Sequence, residues 1–126
     1  MSLLLHITTP AAWEKTQGQD EYTAPSLESE GFIHCSAIEQ LVDTANIHFQ
    51  GQSPLVVLVI DTTLVEAPIR YEEPLGSSTR NPNLRFPHVY GPIPVNAVVE
   101  CVDMTLDESG NFQMPALTHL FPFLPS

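Results

Sequence analysis

The chain has 126 residues, which suits one domain with its own hydrophobic core but hardly two. Hydrophobic residues make up 43% of it, too many for a disordered protein. Four Lys and Arg stand against 15 Asp and Glu, and the formal net charge of −11 makes the surface repel nucleic acids and anionic membranes. We therefore expect partners that are neither nucleic acid nor membrane.

The location of the protein is predicted from what the sequence lacks. No apolar segment approaches the ~20 residues that span a bilayer, and the N-terminus has no basic start of a signal peptide. Two cysteines, Cys35 and Cys101, are too few for a disulfide framework. We expect reduced thiols and a cytoplasmic protein.

The N-terminal part predicts one strand and one short helix. The apolar run at residues 3–7 is typical of a buried strand. Thr9 followed by Pro10 is a typical helix start, because Thr caps free N–H groups and Pro fits the first helical position. Residues 22–30 are polar and contain a proline, so we expect a turn-like connection there.

A second strand and a second helix follow. Residues 32–35 predict a short strand. Ser36 and Glu39 have the spacing of a capping box, and apolar residues then recur at helical spacing. We expect this amphipathic helix to begin after Ser36 and to end at Gly51.

The C-terminal half is predicted to contain two strands separated by a long loop. The β-branched run at 54–61 is typical of a central strand covered on both faces. Residues 66–94 hold six prolines and predict an ordered loop, and residues 97–104 predict the other strand. The Pro-rich apolar tail at 113–126 either packs on the body or joins two subunits of a homodimer. Together these elements predict a single α+β domain over residues 1–126, with a small, split β-sheet core and two short helices.

Three of the five histidines lie where such folds place ligand groups. His6 and His34 are near the ends of predicted strands, and His88 lies within the long loop. We interpret them as parts of one polar pocket. The alternative for each is a structural histidine whose hydrogen bonds are satisfied inside the core. His48 and His119 are assigned to a helix face and to the tail.

The few cations and a pair of acids fall close to His88. Three of the four cations lie between residues 70 and 85, namely Arg70, Arg80 and Arg85. Arginine captures phosphate or carboxylate groups through paired hydrogen bonds, although pairing with nearby acids is an open alternative. Glu72 and Glu73 are candidates for a general base or a ribose ligand, or for an ordinary exposed acidic pair.

Metal and cysteine chemistry are both disfavoured. Three histidines could hold zinc, but no His-x-x-x-His or Cys-x-x-Cys spacing is present, so we expect no metal. Neighbouring strand residues point to opposite faces. If His34 faces the pocket, Cys35 faces the core and is a poor nucleophile. The sequence also has no GxGxxG, P-loop or GxSxG motif.

Two longer motifs, at residues 31–36 and 86–92, stand out together with His6, Thr8 and Trp13. In these residues the chain resembles an uncharacterised family of bacteria and plants, domain of unknown function 952. The resemblance covers nearly the whole chain to about residue 102.

More distantly, that family resembles the ADP-ribosyltransferase superfamily, notably its RNA 2′-phosphotransferase branch. The shared features are a first strand ending His-x-Thr and a second motif, hydrophobic-His-x-Ser, before a helix. The resemblance implies an ADP-ribosyltransferase-like fold and NAD as a substrate. It places His6 and Thr8 on the ribose and amide side, and His34 and Ser36 at the nicotinamide site.

Three functional hypotheses follow. The first is a nucleotide or NAD-type pocket with ADP-ribosyl or related glycosyl transfer to a small molecule, since four cations are too few to grip RNA. Its further roles are pyrophosphate binding by Arg80 or Arg85, pocket closure by His88 and Tyr90, and catalysis by Glu72 or Glu73 with His34. The second is a non-catalytic small-molecule-binding module. The third is a metal-assisted hydrolase that uses the three histidines.

Overall fold

The computed structural model describes residues 2–73 and 85–122, which form small antiparallel sheets and short helices. The strands are β1 (Leu3–Thr8), β2 (Glu21–Tyr22), β3 (Ile33–His34), β4 (Leu55–Asp61), β5 (Ile69–Glu72), β6 (Phe86–Val89), β7 (Ile93–Pro94) and β8 (Val98–Met104). The α-helices are α1 (Pro10–Glu14), α2 (Pro25–Glu30) and α3 (Leu41–His48), and 3-10 turns occur at Ile38–Gln40, Thr62–Leu64 and Val95–Ala97. None of the helices in the described ranges is long and apolar enough to cross a bilayer.

The central sheet has the order β1-β4-β8, and β4 is buried at every position. Both faces of β4 are covered by other elements, and this is why its sequence is apolar throughout. The predicted central strand is confirmed. One face contacts the helix-side core, whose members include Leu5, Ile7, Val57, Val59, Leu41, Ala45 and Leu117. The other contacts the sheet-side core, whose members include Leu4, Tyr22, Ile33, Cys35, Val56, Leu58, Ile60 and Val89.

A second sheet, of order β3-β6-β5, lies beyond the sheet-side core. His88 on β6 pairs with His34 on one side and with Arg70 on the other. Directly opposed residues share a face of a sheet, so these three side chains form one row. The adjacent row of Ile33, Val89 and Ile69 packs in the sheet-side core.

The two sheets are joined by the segment that follows β3. The backbone N–H of Leu5 donates to the Ser36 carbonyl at 2.9 Å, and the N–H of Ser36 donates to the Leu5 carbonyl at 2.7 Å. This bridge places the motif around His6 beside the motif around His34. The predicted α+β fold with a split sheet core is thereby confirmed.

The expected turn at residues 22–30 was wrong, because a strand and a helix occupy it. Tyr22 belongs to β2, and α2 starts with Pro25 in its first turn. Gly31 ends the helix with φ of 92°, a left-handed conformation that favours glycine. None of the six residues of α2 is fully buried, so the helix leaves no apolar periodicity in the sequence.

The long loop expected at residues 66–94 was also wrong in part. Three short strands, β5, β6 and β7, lie within this range. Each has only two to four residues, and Pro87 and Pro94 lie inside two of them. Strands this short, interrupted by proline, show no clear alternation of apolar and polar residues.

The start of the second predicted helix is capped differently from the expected Ser36–Glu39 box. Ser36 uses its backbone to pair with β1. A 3-10 turn precedes α3, and the side-chain oxygen of Gln40 accepts from the backbone N–H of Ala37 at 2.8 Å. The amide nitrogen of Gln40 donates to the Arg85 carbonyl at 2.7 Å, so this residue also connects α3 to the start of β6.

The described part of the tail packs on the body, the first of the two alternatives considered. Leu117 and Phe121 of the tail are buried in the helix-side core, together with Phe112 just before it. Association of two subunits through the tail stays a prediction.

Replacing Leu117 tests this packing. Leu117 is fully buried, so Leu117→Ala is expected to lower the free energy of unfolding by about 3 kcal/mol. Met114→Ala is the matched control in the same segment, because Met114 is exposed and its loss should cost less than about 0.5 kcal/mol. Urea denaturation measures both, and equal effects would contradict a packed tail.

Candidate functional site

A cleft of about 580 Å³ is lined by residues from β1, β3, β6 and all three helices. Five side chains singled out from the sequence line it: His6, Thr8, His34, Ser36 and His88. The described lining includes one carboxylate, Glu30, and neither lysine nor arginine. A second, more open groove of about 500 Å³ between α1 and the start of β4 contains none of the five, so we place the candidate site in the first cleft.

His6 lies at the back of the cleft and uses both of its ring nitrogens. Its Nδ1 lies 2.6 Å from the His34 carbonyl oxygen, and its Nε2 lies 2.7 Å from the Tyr22 hydroxyl. A carbonyl only accepts, so Nδ1 carries the proton and Nε2 accepts from Tyr22. The Tyr22 oxygen lies 3.1 Å from the Thr8 hydroxyl, which then donates to it. Burial lowers the pKa of His6 to about 4, so the ring is neutral near pH 7.

This network gives His6 a structural role that the sequence left as the alternative. It connects β1 to β3 through a side chain, next to the backbone bridge of Leu5 and Ser36. A ligand ribose could bond His6 only by displacing one of its two present partners. The Thr8 hydroxyl, which has one protein partner, is the more available polar group on this wall. Ribose binding by His6 and Thr8 stays a prediction.

His34 is one of two exposed histidines in the cleft lining, the other being His48. About half of the His34 side chain is exposed, and its Nε2 lies 3.1 Å from a carboxylate oxygen of Glu30. The Phe32 ring meets it edge-on, with the ring centroids 4.8 Å apart. Its neighbour Cys35 is buried in the sheet-side core, where burial raises the thiol pKa to about 12. Cys35 is thus buried in the core as expected, although it also borders the cleft. Its high pKa disfavours thiolate chemistry.

His88 is buried and bonded to Glu72. Its Nδ1 lies 2.9 Å from Glu72 Oε1, and its ring stacks on Phe32 with centroids 4.0 Å apart. The Tyr90 hydroxyl donates to the same Glu72 oxygen. The bonds from Tyr90 and His88 hold the pKa of Glu72 below its usual range, and the bond to Glu72 raises the pKa of Tyr90. Arg70 lies over the Tyr90 ring, 5.2 Å from its centroid.

Several residues predicted for the site do not line the cleft. Glu72 and Tyr90 reach it only through His88, and Glu73 is exposed just after β5. Arg85 is exposed, and Arg80 lies outside the described residues. The proposed roles of these residues in catalysis and pyrophosphate binding stay predictions. Within the described ranges, no three His, Cys, Asp or Glu side chains are arranged to hold a metal ion.

The structure adds cleft residues that sequence reasoning missed. Glu30 and Tyr22 come from the stretch that was expected to be a turn, and Thr44 and His48 are one helical turn apart on α3. The only signal for the last pair was that i, i+4 spacing. Thr44 Oγ1 is the one buried side-chain polar atom in the described residues that lacks a hydrogen-bond partner. Such an orphan hydroxyl in a cleft wall is available to a ligand.

The unpartnered hydroxyl gives the first prediction for the site. Thr44→Val removes a buried polar atom without a partner, so the free energy of unfolding should rise by about 1 kcal/mol. The control is Thr16→Val, because the Thr16 hydroxyl donates to the Trp13 carbonyl at 2.6 Å and its loss should destabilise by about 1 kcal/mol. Denaturant unfolding measures the free energy of unfolding of both variants. If Thr44→Val is less stable than the wild type, the Thr44 hydroxyl has a hydrogen-bond partner in solution.

The neutral His6 gives a prediction on pH. Its pKa falls from 6.5 to about 4 on folding, so below pH 6.5 the unfolded chain binds a proton that the folded chain refuses. The contribution of the neutral His6 ring to the free energy of unfolding is fully present above pH 6.5, the pKa of the unfolded chain. It is lost as the pH falls towards 4, the pKa in the folded protein. Between about pH 7 and pH 5 this amounts to about 2 kcal/mol. His6→Asn should lose stability less steeply over this range, and parallel curves from urea titrations would refute the neutral ring.

The comparisons with known proteins place the chain in a family. The crystal structure of protein CC0527 from Caulobacter crescentus is 32% identical, with a TM-score of 0.75, over 89% of this chain and 94% of that one. The solution structure of CC0527 gives a TM-score of 0.65 at the same 32% identity, over 94% of this chain and 96% of that one. The search of curated proteins found no match. The more distant resemblance to ADP-ribosyltransferases stays a prediction.

A family model described as protein of unknown function, DUF952, matches residues 7–101. This range contains β1 from Ile7 onward, the joined motifs around His34 and His88, and the first half of β8. The match covers well over half of the chain, and the sequence resemblance is confirmed: the chain belongs to the DUF952 family.

Proposed function

We propose that the cleft binds a small nucleoside-type molecule, such as the nicotinamide riboside half of an NAD-type compound. The observation that carries the proposal is the convergence of the two sequence motifs, His6-x-Thr8 and His34-x-Ser36, on one cleft. Its volume of about 580 Å³ falls within the range of small-molecule sites.

The lining supports a ligand with hydroxyl groups and a planar ring. Thr8, Ser36 and Thr44 supply hydroxyls, which bond sugar hydroxyls well. The aromatic rings of His34 and His88 meet at 80° with centroids 5.3 Å apart, and they offer an edge and a face to a planar base. Phe86 adds apolar area to the same cleft.

The charge of the lining favours the nucleoside over the whole dinucleotide. A pyrophosphate group prefers arginine or lysine, and the described lining has neither. Arg70 lies over Tyr90, away from the lining. Glu30 on the rim instead favours a neutral or cationic group, and the positively charged nicotinamide ring of such a riboside has that character.

A second candidate function is glycosyl transfer, which the Glu30–His34 pair favours. Cleavage of a ribose–base bond develops positive charge on the sugar, and a carboxylate nearby stabilises it. Glu30 is the carboxylate of the described lining, rather than Glu72 or Glu73. The test is to incubate the protein with nicotinamide riboside and to measure free nicotinamide. Release by the wild type that is abolished in Glu30→Gln would show transfer or hydrolysis rather than binding alone.

The binding proposal is tested by thermal unfolding with nicotinamide riboside, NAD and ADP-ribose at equal concentration. At 100 times its Kd a ligand stabilises the folded state by about 2.7 kcal/mol, which for a domain of this size raises Tm by roughly 10 °C. We expect the largest rise with nicotinamide riboside, and its loss in His34→Ala.

The matched control is His119→Ala. His119 is exposed and bonded to Glu100, and it does not line the cleft, so the ligand-induced rise in Tm should be unchanged. The proposal fails if none of the three compounds raises Tm, or if His34→Ala responds as the wild type does.

A further inference from the structure

His88 is held firmly in the wall of the cleft. It lies on β6, the middle strand of its sheet, and its backbone is paired with His34 on one side and Arg70 on the other. The Phe32 ring stacks on its imidazole with an interplanar angle of 20°. The ring therefore has little freedom to turn, and its two nitrogens keep fixed directions.

The bond to Glu72 also fixes which nitrogen carries the proton. An ionised carboxylate only accepts hydrogen bonds, so the 2.9 Å contact requires a proton on Nδ1. In the neutral ring Nε2 then holds a lone pair. Tyr90 donates to the same carboxylate oxygen and helps to keep Glu72 ionised.

The Nε2 atom of His88 has no hydrogen-bond partner among the described residues, so its lone pair is available to a ligand in the cleft. His88 lines the cleft, whereas Glu72 does not. The other three histidines of the cleft differ. Both nitrogens of His6 are bonded, and Nε2 of His34 faces Glu30. His48 is exposed, and no carboxylate among the described residues orients its ring.

We infer that His88 is the proton acceptor of the cleft, acting on a hydroxyl group of the bound molecule or of a second substrate, with Glu72 as its positioning residue. The inference rests on the proposed function and adds to it a site for an alcohol or water. In the step, the O–H bond breaks, its proton forms an N–H bond at Nε2, and the oxygen keeps the electron pair as a nucleophile. The imidazolium that results is stabilised by the Glu72 carboxylate.

The test uses nuclear magnetic resonance of the full chain labelled with nitrogen-15 in its histidines. Long-range proton–nitrogen correlations show which nitrogen of each ring is protonated. We expect His88 in one form, with Nδ1 protonated and Nε2 bare, and a shift of its Nε2 signal when nicotinamide riboside is added. A proton on Nε2 in the wild type would overturn the inference, whatever the ligand does.

Two neighbouring acids give a matched pair of variants. Glu72→Gln should replace the single tautomer of His88 with a mixture of its two neutral tautomers. It should also weaken nicotinamide riboside binding by about tenfold, which corresponds to the loss of one oriented hydrogen bond. Glu73→Gln makes the same change of charge at an exposed site and should alter neither. Equal results for the two variants would overturn the role of Glu72.

The outcomes also separate this inference from the proposed function. If nicotinamide riboside changes the NMR signals of His34 but not the Nε2 signal of His88, the role of His88 as proton acceptor is overturned and the binding proposal stands. The absence of shifts at every cleft histidine would overturn the binding proposal, and with it the role of His88 towards that ligand.

Discussion

The hydrogen bond from His6 to the His34 carbonyl, with the backbone bridge beside it, is the contact on which the rest of the site depends. Among the described residues, the central sheet and the smaller sheet otherwise meet through apolar side chains of the sheet-side core. Apolar packing is not directional, so it would leave their relative position poorly defined. A buried, directional hydrogen bond between β1 and β3 fixes the relative position of the two sheets that line the cleft.

The polar groups around the cleft divide into those that are satisfied and those that are available. His6 and Tyr22 bond to one another and complete the wall. Thr44 Oγ1 and the Nε2 atom of His88 are left without partners among the described residues. Buried polar groups normally find partners within the protein, so those that do not are the strongest indication of where a ligand makes contact.

The sequence predicted the parts of this molecule that depend on local pattern. The apolar run of β4, the capped start of α1 at Thr9 and the placing of His6 and His34 near strand ends were all visible in short windows. The pairing of Glu72 with His88 was not, because it depends on the register between β5 and β6, two strands separated along the chain. Local periodicity carries no information on register.

The packed tail bears on where this domain ends. The match to the family model ends at residue 101, which is in the middle of β8. Met104 on that strand, and Phe112 and Leu117 beyond it, complete the helix-side core against which α3 rests. A domain boundary placed at the end of the family model would thus divide β8 and remove Phe112 and Leu117 from the core that packs against α3. The range that the family model matches is therefore shorter than the unit that folds.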